Sequence, residues 1–401
     1  MINFCPDCGK NIQTAFKFCP YCGKHLPTGE DEEPQSLLGS LLSSFRGSRS
    51  KPPTPKSSPQ ATRVSPQTLK RSRVTTLLQA LPTGTVLTDK NGQHWKLGSL
   101  QTRNDQGILY EAEPVSACAA SSRKQRFSLK LDAKDGRLFN EQNFFQRAAK
   151  PLQVNKWKRL HSSPLLAIPT CVGFGVHQDR YRFLVLPMLG RSLQSALDDH
   201  PKHKMSMQSV FQMACRLLDA LEFLHENEYV HGNVTAENIF VNPEDLSQVT
   251  LAGYGFAFRY SPGGRHVAYV EGSKGPHEGD LEFISMDVHK GCGPSRRSDL
   301  QTLGYCLLKW LYGTLPWTNC LPNTEDIMKL KQKFLDSPET LVGKCSRWMS
   351  PSETLQKYLK VVMALQYDEK PPYALLRNDL EAVLQDLRVS AYDPMDLQMV
   401  P

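Results

Sequence analysis

The feature that most constrains the fold is a long apolar stripe that leads directly into a polar loop. Residues 206–227 carry apolar side chains at 3.6-residue spacing, which predicts an amphipathic helix packed into a core. A short apolar segment, residues 249–252, follows the loop and predicts a strand. The stripe consists of Val210, Ala214, Leu217, Leu218, Leu221 and Leu224. The loop, residues 231–238, is therefore expected to lie inside a large domain, between a core helix and a strand.

Length and composition limit the class of protein. The 401 residues allow two to three domains of ~150 residues each, and a hydrophobic content of 40% is enough for a large core. No stretch approaches the ~20 apolar residues of a membrane span, and cysteines stand where a signal peptide would need an apolar run. Seven of the eleven cysteines are scattered singly between residues 118 and 345, which favours reduced thiols. A nuclear or cytoplasmic protein is expected.

The other four cysteines form two C-x-x-C pairs, separated by ten residues: Cys5, Cys8, Cys19 and Cys22. Four thiolates at this spacing predict a structural Zn²⁺ site within residues 1–26. Gly9 and Gly23 follow the second cysteine of each pair, where the chain must turn tightly. The alternative, a pair of redox motifs, needs a βαβ context that a segment of this length cannot supply.

Residues 27–80 are rich in Ser, Pro, Thr and charge, which predicts a disordered linker. Between residues 46 and 73 there are eight basic residues and no acidic one, so the remainder of a chain of net charge +8 sums to zero. This local charge predicts a nuclear-localisation signal, and with it an import receptor as partner. A solvated tail is the alternative. The basic residues of the predicted signal are Arg46, Arg49, Lys51, Lys56, Lys70, Arg71 and Arg73.

The loop at residues 231–238 has the spacing of the protein-kinase catalytic loop H-R-D-x-x-x-x-N, from His231 to Asn238. Its chemistry is missing. Asn233 stands where a kinase keeps its catalytic aspartate, and an amide has no useful basicity near neutral pH. Gly232 replaces the arginine, and Thr235 stands where kinases usually keep a lysine. No catalytic residue is expected in this loop.

The segment in the place of the kinase phosphate loop has lost most of its glycines. Residues 95–101 and 108–112 predict two strands, and the three glycine positions fall on Thr102, Asn104 and Gly107. Phosphates need bare backbone N–H groups at close approach, and the Asp105 carboxylate would repel them. ATP is therefore not expected to bind. An ordinary hairpin, the alternative, predicts the same.

Two further features of the kinase pattern differ: the ion pair is kept, and the metal-binding aspartate is replaced. Lys130 and Glu141 fit the ion pair between strand β3 and helix αC of kinases, with residues 138–148 forming that helix. We interpret this as a retained structural pair; a surface pair is the alternative. Gly253 replaces the metal-binding aspartate of D-F-G, so Asn238 alone is a poor Mg²⁺ site and is expected to hold the loop instead.

Residues 140–150 and 294–300 make the resemblance more specific. Together with the motifs above, they are similar to the vaccinia-related kinases of the casein-kinase-1 group, in particular to a catalytically inactive member. The resemblance covers the whole chain, and it implies an α+β fold. The implied fold is a bilobal kinase domain over residues 81–401, with a small antiparallel-sheet lobe and a mainly helical lobe. Residues 171–176 and 182–186 are expected to form a hairpin, and residues 187–190 the hinge between the lobes. By the same resemblance, Asp299 and Gly304 anchor the catalytic loop.

Two classes of function follow. The first is a kinase-fold scaffold in the nucleus, which by resemblance restrains mitogen-activated, extracellular-signal-regulated kinase signalling by stimulating a dual-specificity phosphatase. The second is a very weak serine/threonine kinase acting on chromatin or nuclear-envelope proteins. Nucleic acid is not an expected partner, because the excess positive charge is confined to the linker.

Overall fold

The computed structural model describes residues 78–104, 107–115, 126–347 and 349–399. These residues belong to one compact unit, Ser72–Pro401. The four cysteines of the predicted zinc site, the seven basic residues of the predicted nuclear signal, and Asp105 lie outside the described residues. Leu78 and Ala80, placed in the linker by sequence, pack on the small lobe. No helix in the described ranges is long and apolar enough to cross a membrane.

The small lobe is a six-stranded antiparallel sheet with two helices. The strand order is β1-β2-β3-β4-β6-β5. The strands are β1 (Val86–Thr88), β2 (His94–Asn104), β3 (Gly107–Pro114), β4 (Phe127–Ala133), β5 (Gly173–His177) and β6 (Tyr181–Pro187). The helices are α1 (Leu138–Arg147) and α2 (Pro151–Leu160).

Both faces of the central strands β3, β4 and β6 are buried, because their successive positions pack inside the lobe. Along β6, Phe183 and Val185 face a small cluster of the lobe's own side chains. Leu184 and Leu186 face the main core instead, together with Phe144 of α1. This alternation is the period of two that a strand imposes on its side chains. The same alternation places Ser128 and Lys130 of β4 on the opposite face from Phe127, Leu129 and Leu131.

The large lobe is mainly helical. Its short strands are β7 (Arg191–Ser192), β8 (Tyr229–Val230), β9 (Ile239–Asn242), β10 (Asp245–Leu251) and β11 (Phe258–Arg259). Its helices are α3 (Leu193–Asp199), α4 (Met207–Glu226), α5 (Met286–His289), α6 (Arg296–Tyr312), α7 (Thr324–Asp336), α8 (Pro338–Ser346), α9 (Glu353–Ala364) and α10 (Tyr373–Asp386).

Helices α4 and α6 form the centre of this lobe. Helix α4 begins after Ser206, whose hydroxyl accepts from the Ser209 N–H, and helix α6 ends at Gly313 in a left-handed conformation (φ +86°). Gly304 of α6 permits close packing of α9, because a Cβ there would lie 2.7 Å from Leu359. The predicted α+β bilobal fold is confirmed.

Candidate functional site

The loop that follows α4 is held by one buried carboxylate. Asp299, at the first turn of α6, accepts hydrogen bonds from the backbone N–H of His231 (2.7 Å) and of Gly232 (2.9 Å). Gly232 has φ +77°, and a Cβ there would lie 2.7 Å from the Phe256 carbonyl oxygen. The glycine therefore allows the chain to pass close to the segment 254–256. The anchoring role expected of Asp299 is therefore visible in the structure.

Two buried histidines complete this anchor in their neutral form. His225 Nε2 donates to Asp299 (2.9 Å), so its Nδ1 accepts from the Tyr373 hydroxyl (2.6 Å). His231 Nε2 donates to the Ala252 carbonyl oxygen (2.8 Å). Burial lowers the pKa of His225 and the pKa of His231. Both rings are thus uncharged structural links rather than proton carriers at neutral pH.

Asn233, at the position of the missing base, has a structural contact of its own. It is buried, and its side-chain oxygen accepts from the backbone N–H of Asp280 at 3.2 Å. This bond ties the loop to the segment that precedes α5. Thr235 is also buried and faces the loop, where the Asn238 amide lies 3.5 Å from its hydroxyl. Neither residue offers a basic or charged group to a substrate.

The pair Asn238 and Gly253 shows what replaces the metal site. The Asn238 side chain donates to the Asn233 carbonyl oxygen at 2.9 Å, which holds the loop backbone. Gly253 has φ +79°, and a Cβ at this position would lie 2.1 Å from the Asn238 side-chain oxygen. A side chain at residue 253 is therefore excluded while Asn238 keeps this conformation. Within the described residues, no three His, Cys, Asp or Glu side chains are grouped to hold a metal ion.

The segment expected in place of the phosphate loop is a tight hairpin. Strands β2 and β3 stay paired as far as Asn104 opposite Gly107. The predicted loop 102–106 is accordingly shorter than expected, since Thr102 pairs with Leu109 inside the ladder. Gly107 has φ +117°, and a Cβ there would lie 2.6 Å from the Leu131 carbonyl oxygen. Among the described residues of this segment, 102–104 lie in the ladder opposite 107–109 and not in an open loop.

Lys130 and Glu141 form an ion pair at 2.7 Å between β4 and α1. The Glu141 side chain is only 2% exposed, and its second carboxylate oxygen has no hydrogen-bond partner among the described residues. Helix α1 is also joined to the large lobe. The Asn140 side chain donates to the Gly255 and Ala257 carbonyl oxygens, and Phe144 stacks on Tyr254 at 4.1 Å between ring centroids.

Sequence reasoning missed one residue of the cleft. Ser128 lies two positions before Lys130 on the same face of β4, and its hydroxyl oxygen accepts from the backbone N–H of Leu189 at 3.1 Å. The hinge N–H that borders the cleft is therefore satisfied inside the protein. A second polar residue beside Lys130 in the buried run 127–131 was the available signal. Leu189 itself lines the neighbouring cleft, which has a volume of about 590 Å³ and is also lined by Lys130, Asn238 and Gly253.

The chain matches the protein kinase domain over residues 118–375 and the zinc-ribbon domain over residues 4–26. It is 71% identical to serine/threonine-protein kinase VRK3 of Bos taurus, with 99% of this chain and 100% of the relative covered. It is 66% identical to the protein of the same name from Homo sapiens, with 100% of both covered. A solved structure described as vaccinia related kinase 3 has 80% identity and a TM-score of 0.76, covering 80% of this chain and 96% of the other. The chain therefore belongs to the vaccinia-related kinase family of protein kinases.

Proposed function

We propose that this kinase-fold chain is a pseudokinase that acts by binding other proteins and not by transferring phosphate. One observation carries the proposal: the residue in the place of the base is an amide whose oxygen is already bonded to the Asp280 N–H. A kinase base has to accept a proton from the substrate hydroxyl, and a general base contributes ~10²–10⁴ to the rate. The exclusion of a side chain at Gly253 removes the metal ligand as well.

Nucleotide titration of the purified full chain tests this proposal. We expect the melting temperature to stay constant from zero to millimolar ATP with Mg²⁺, because a ligand that binds only the folded state must raise it. Magnesium without ATP serves as the control. A concentration-dependent rise with ATP and Mg²⁺ would contradict the loss of the nucleotide site.

A very weak serine/threonine kinase is the second candidate, and the Lys130–Glu141 ion pair favours it. In active kinases this pair positions the nucleotide phosphates. Transfer of labelled phosphate to a chromatin or nuclear-envelope protein distinguishes the two. Residual activity that disappears in the Lys130→Met variant would support the kinase, whereas a trace that persists in this variant would indicate a contaminating enzyme.

The regulatory role is proposed from the family resemblance. A scaffold that stimulates a dual-specificity phosphatase restrains mitogen-activated signalling without any chemistry of its own. The test is the rate at which the purified phosphatase dephosphorylates an extracellular-signal-regulated kinase, with and without this chain. We expect a faster rate that saturates with added chain. An unchanged rate at saturating concentration would contradict this role.

Nuclear import and zinc binding complete the proposal. Replacement of Lys70, Arg71 and Arg73 by Ala is expected to reduce the nuclear fraction of a tagged chain in favour of the cytoplasm. Zinc binding rests on the donor set, since four thiolates suit tetrahedral Zn²⁺. Metal measurement should give about one zinc per chain. It should fall to none after replacement of Cys5 and Cys8 by Ser.

A further inference from the structure

A groove on the large lobe, distinct from the cleft, combines an apolar floor with a basic wall. It has a volume of about 750 Å³ and lies between the connection 200–206, the start of α4, the end of α6 and residues 349–354. We call it the basal groove. Its floor consists of buried apolar side chains: Met205, Phe211, Leu311 and Tyr312.

Two methionines at the groove are unusually exposed for apolar residues. Met207 is 46% exposed and Met349 is 48% exposed. Methionine is flexible and polarizable, so it adapts to different apolar partners and is frequent at surfaces that bind peptides. Covering these two side chains would remove apolar area from water, which favours association.

One wall of the groove is basic. His200, Lys202 and Lys204 line it, and Glu353 is the acidic residue that faces the same space. Among the ion pairs of the described residues, none includes Lys202 or Lys204. These two ammonium groups are therefore available to an acidic partner, and their charge disfavours a basic one.

We propose that the basal groove docks a short segment of a partner protein in which two large apolar residues are flanked by Asp or Glu. The inference rests on the proposed function as an interaction protein and assigns it a surface. The apolar residues of the segment occupy the floor beside Met207 and Met349, and its carboxylates pair with Lys202 and Lys204. The apolar floor and the presence of only two unpaired lysines argue against a nucleic acid, which needs more phosphate contacts.

An unbiased selection tests this assignment. A displayed library of random twelve-residue peptides is selected on the full chain, and the enriched peptides are synthesised with a fluorescent label for anisotropy titration. We expect two large apolar residues and at least two Asp or Glu in each enriched sequence. Raising the salt from 0.05 to 0.5 M should weaken binding several-fold, since exposed charge pairs are screened.

Two groove variants and one control locate the binding. Lys202→Glu combined with Lys204→Glu reverses the charge of the basic wall. Met207→Asp places a carboxylate in the groove at the first turn of α4, where acidic residues are tolerated well. Each is expected to weaken binding at least about tenfold. Lys156→Glu combined with Arg159→Glu, on the exposed face of α2, changes the net charge by the same amount as the wall reversal. This control should leave affinity within about twofold of the unchanged chain.

Three outcomes would overturn the assignment: no enriched peptide, enriched peptides without the acidic and apolar pattern, or equal weakening by the control and the groove variants. Melting curves of each variant verify that it is folded. This result is independent of the nucleotide titration. ATP binding would refute the pseudokinase proposal without affecting the groove proposal. Failure of the peptide selection would refute the groove proposal without affecting the pseudokinase proposal.

Discussion

Replacement of Lys130 by Met tests whether the ion pair with Glu141 is architectural. The substitution keeps most of the side-chain volume and removes one charge. It leaves the Glu141 carboxylate, 2% exposed, without its 2.7 Å partner. The second oxygen of this carboxylate has no hydrogen bond among the described residues, so no other described group compensates for the loss.

The expected cost follows from the burial of both partners. Removing one partner of a buried pair typically costs 3–5 kcal/mol, because the other charge is left uncompensated. The Lys130 side chain is 16% exposed, so water reaches the site and we expect about 2–4 kcal/mol. Replacing both partners, Lys130→Met with Glu141→Leu, removes both charges and should bring the free energy of unfolding back to within about 1 kcal/mol of the unchanged chain.

Urea unfolding at 25 °C, followed by tryptophan fluorescence, measures these differences. Lys329→Met is the matched control, because its partner Glu325 is also on α7 and both side chains are largely exposed (66% and 79%). Breaking this pair should change the free energy of unfolding far less than Lys130→Met does, because exposed charge pairs contribute little. The reasoning is refuted if Lys130→Met is as mild as the control, or if the double variant is as unstable as the single one.

Three further predictions concern the loop and its surroundings. Burial lowers the pKa of His225 and of His231 in the folded chain, so below the unfolded value of ~6.5 the unfolded state takes up more protons. Stability should therefore fall from pH 7 to pH 5 by up to about 2 kcal/mol for each histidine, measured by urea unfolding, and a flat profile would contradict the neutral rings. Asn233→Asp should yield no phosphate transfer and should lower stability at pH 7 by about 1–3 kcal/mol, with the loss relieved in acid, because position 233 is buried and burial penalises a charged carboxylate. Gly253→Asp should cost about 1–3 kcal/mol for its left-handed backbone and its clash with the asparagine that closes the loop; calorimetric Mg²⁺ binding by this variant would count against the geometry.

Secondary structure was predicted best from the sequence where a helix is buried along its whole length. The apolar stripe in residues 206–227 placed a helix that the structure has as Met207–Glu226. Residues 138–148 placed a helix that the structure has as Leu138–Arg147. Burial of a helix requires apolar residues every three to four positions, so this information is local and can be read without knowing the partners.

The contacts of the site were not predictable in the same way. Ser128 bonds to an N–H 61 residues away, and Asn233 bonds to one 47 residues away. A single side-chain to backbone bond leaves no periodic pattern in the sequence, and which N–H it reaches depends on how the lobes and loops pack. The sequence could indicate that the base was lost at position 233, but not that its replacement holds another segment.

The hairpin between β2 and β3 was only partly predictable. The loss of glycines predicts that phosphate contacts are missing, and this stays a prediction. The length of the open loop was overestimated, because Thr102 and Asn104 were counted as loop residues although they pair with β3. Polar residues are permitted on the exposed end of a strand, so polarity alone did not distinguish a loop from a strand extension.

Two altered positions of the catalytic region, Asn233 and Gly253, are physically coupled through Asn238, and this bears on whether a kinase site could be rebuilt one residue at a time. The Asn238 side chain holds the carbonyl oxygen of Asn233, and the same side chain fills the space beside Gly253. The bond to Asn233 uses the Asn238 NH₂ group, and inserting an acid at 253 would displace the oxygen of the same amide and disturb that bond. Interaction energies between residues in contact are not additive, so each single replacement meets a neighbour still fitted to the present arrangement. In this region, side chains that make hydrogen bonds within the fold stand at the positions where a kinase would need free catalytic groups.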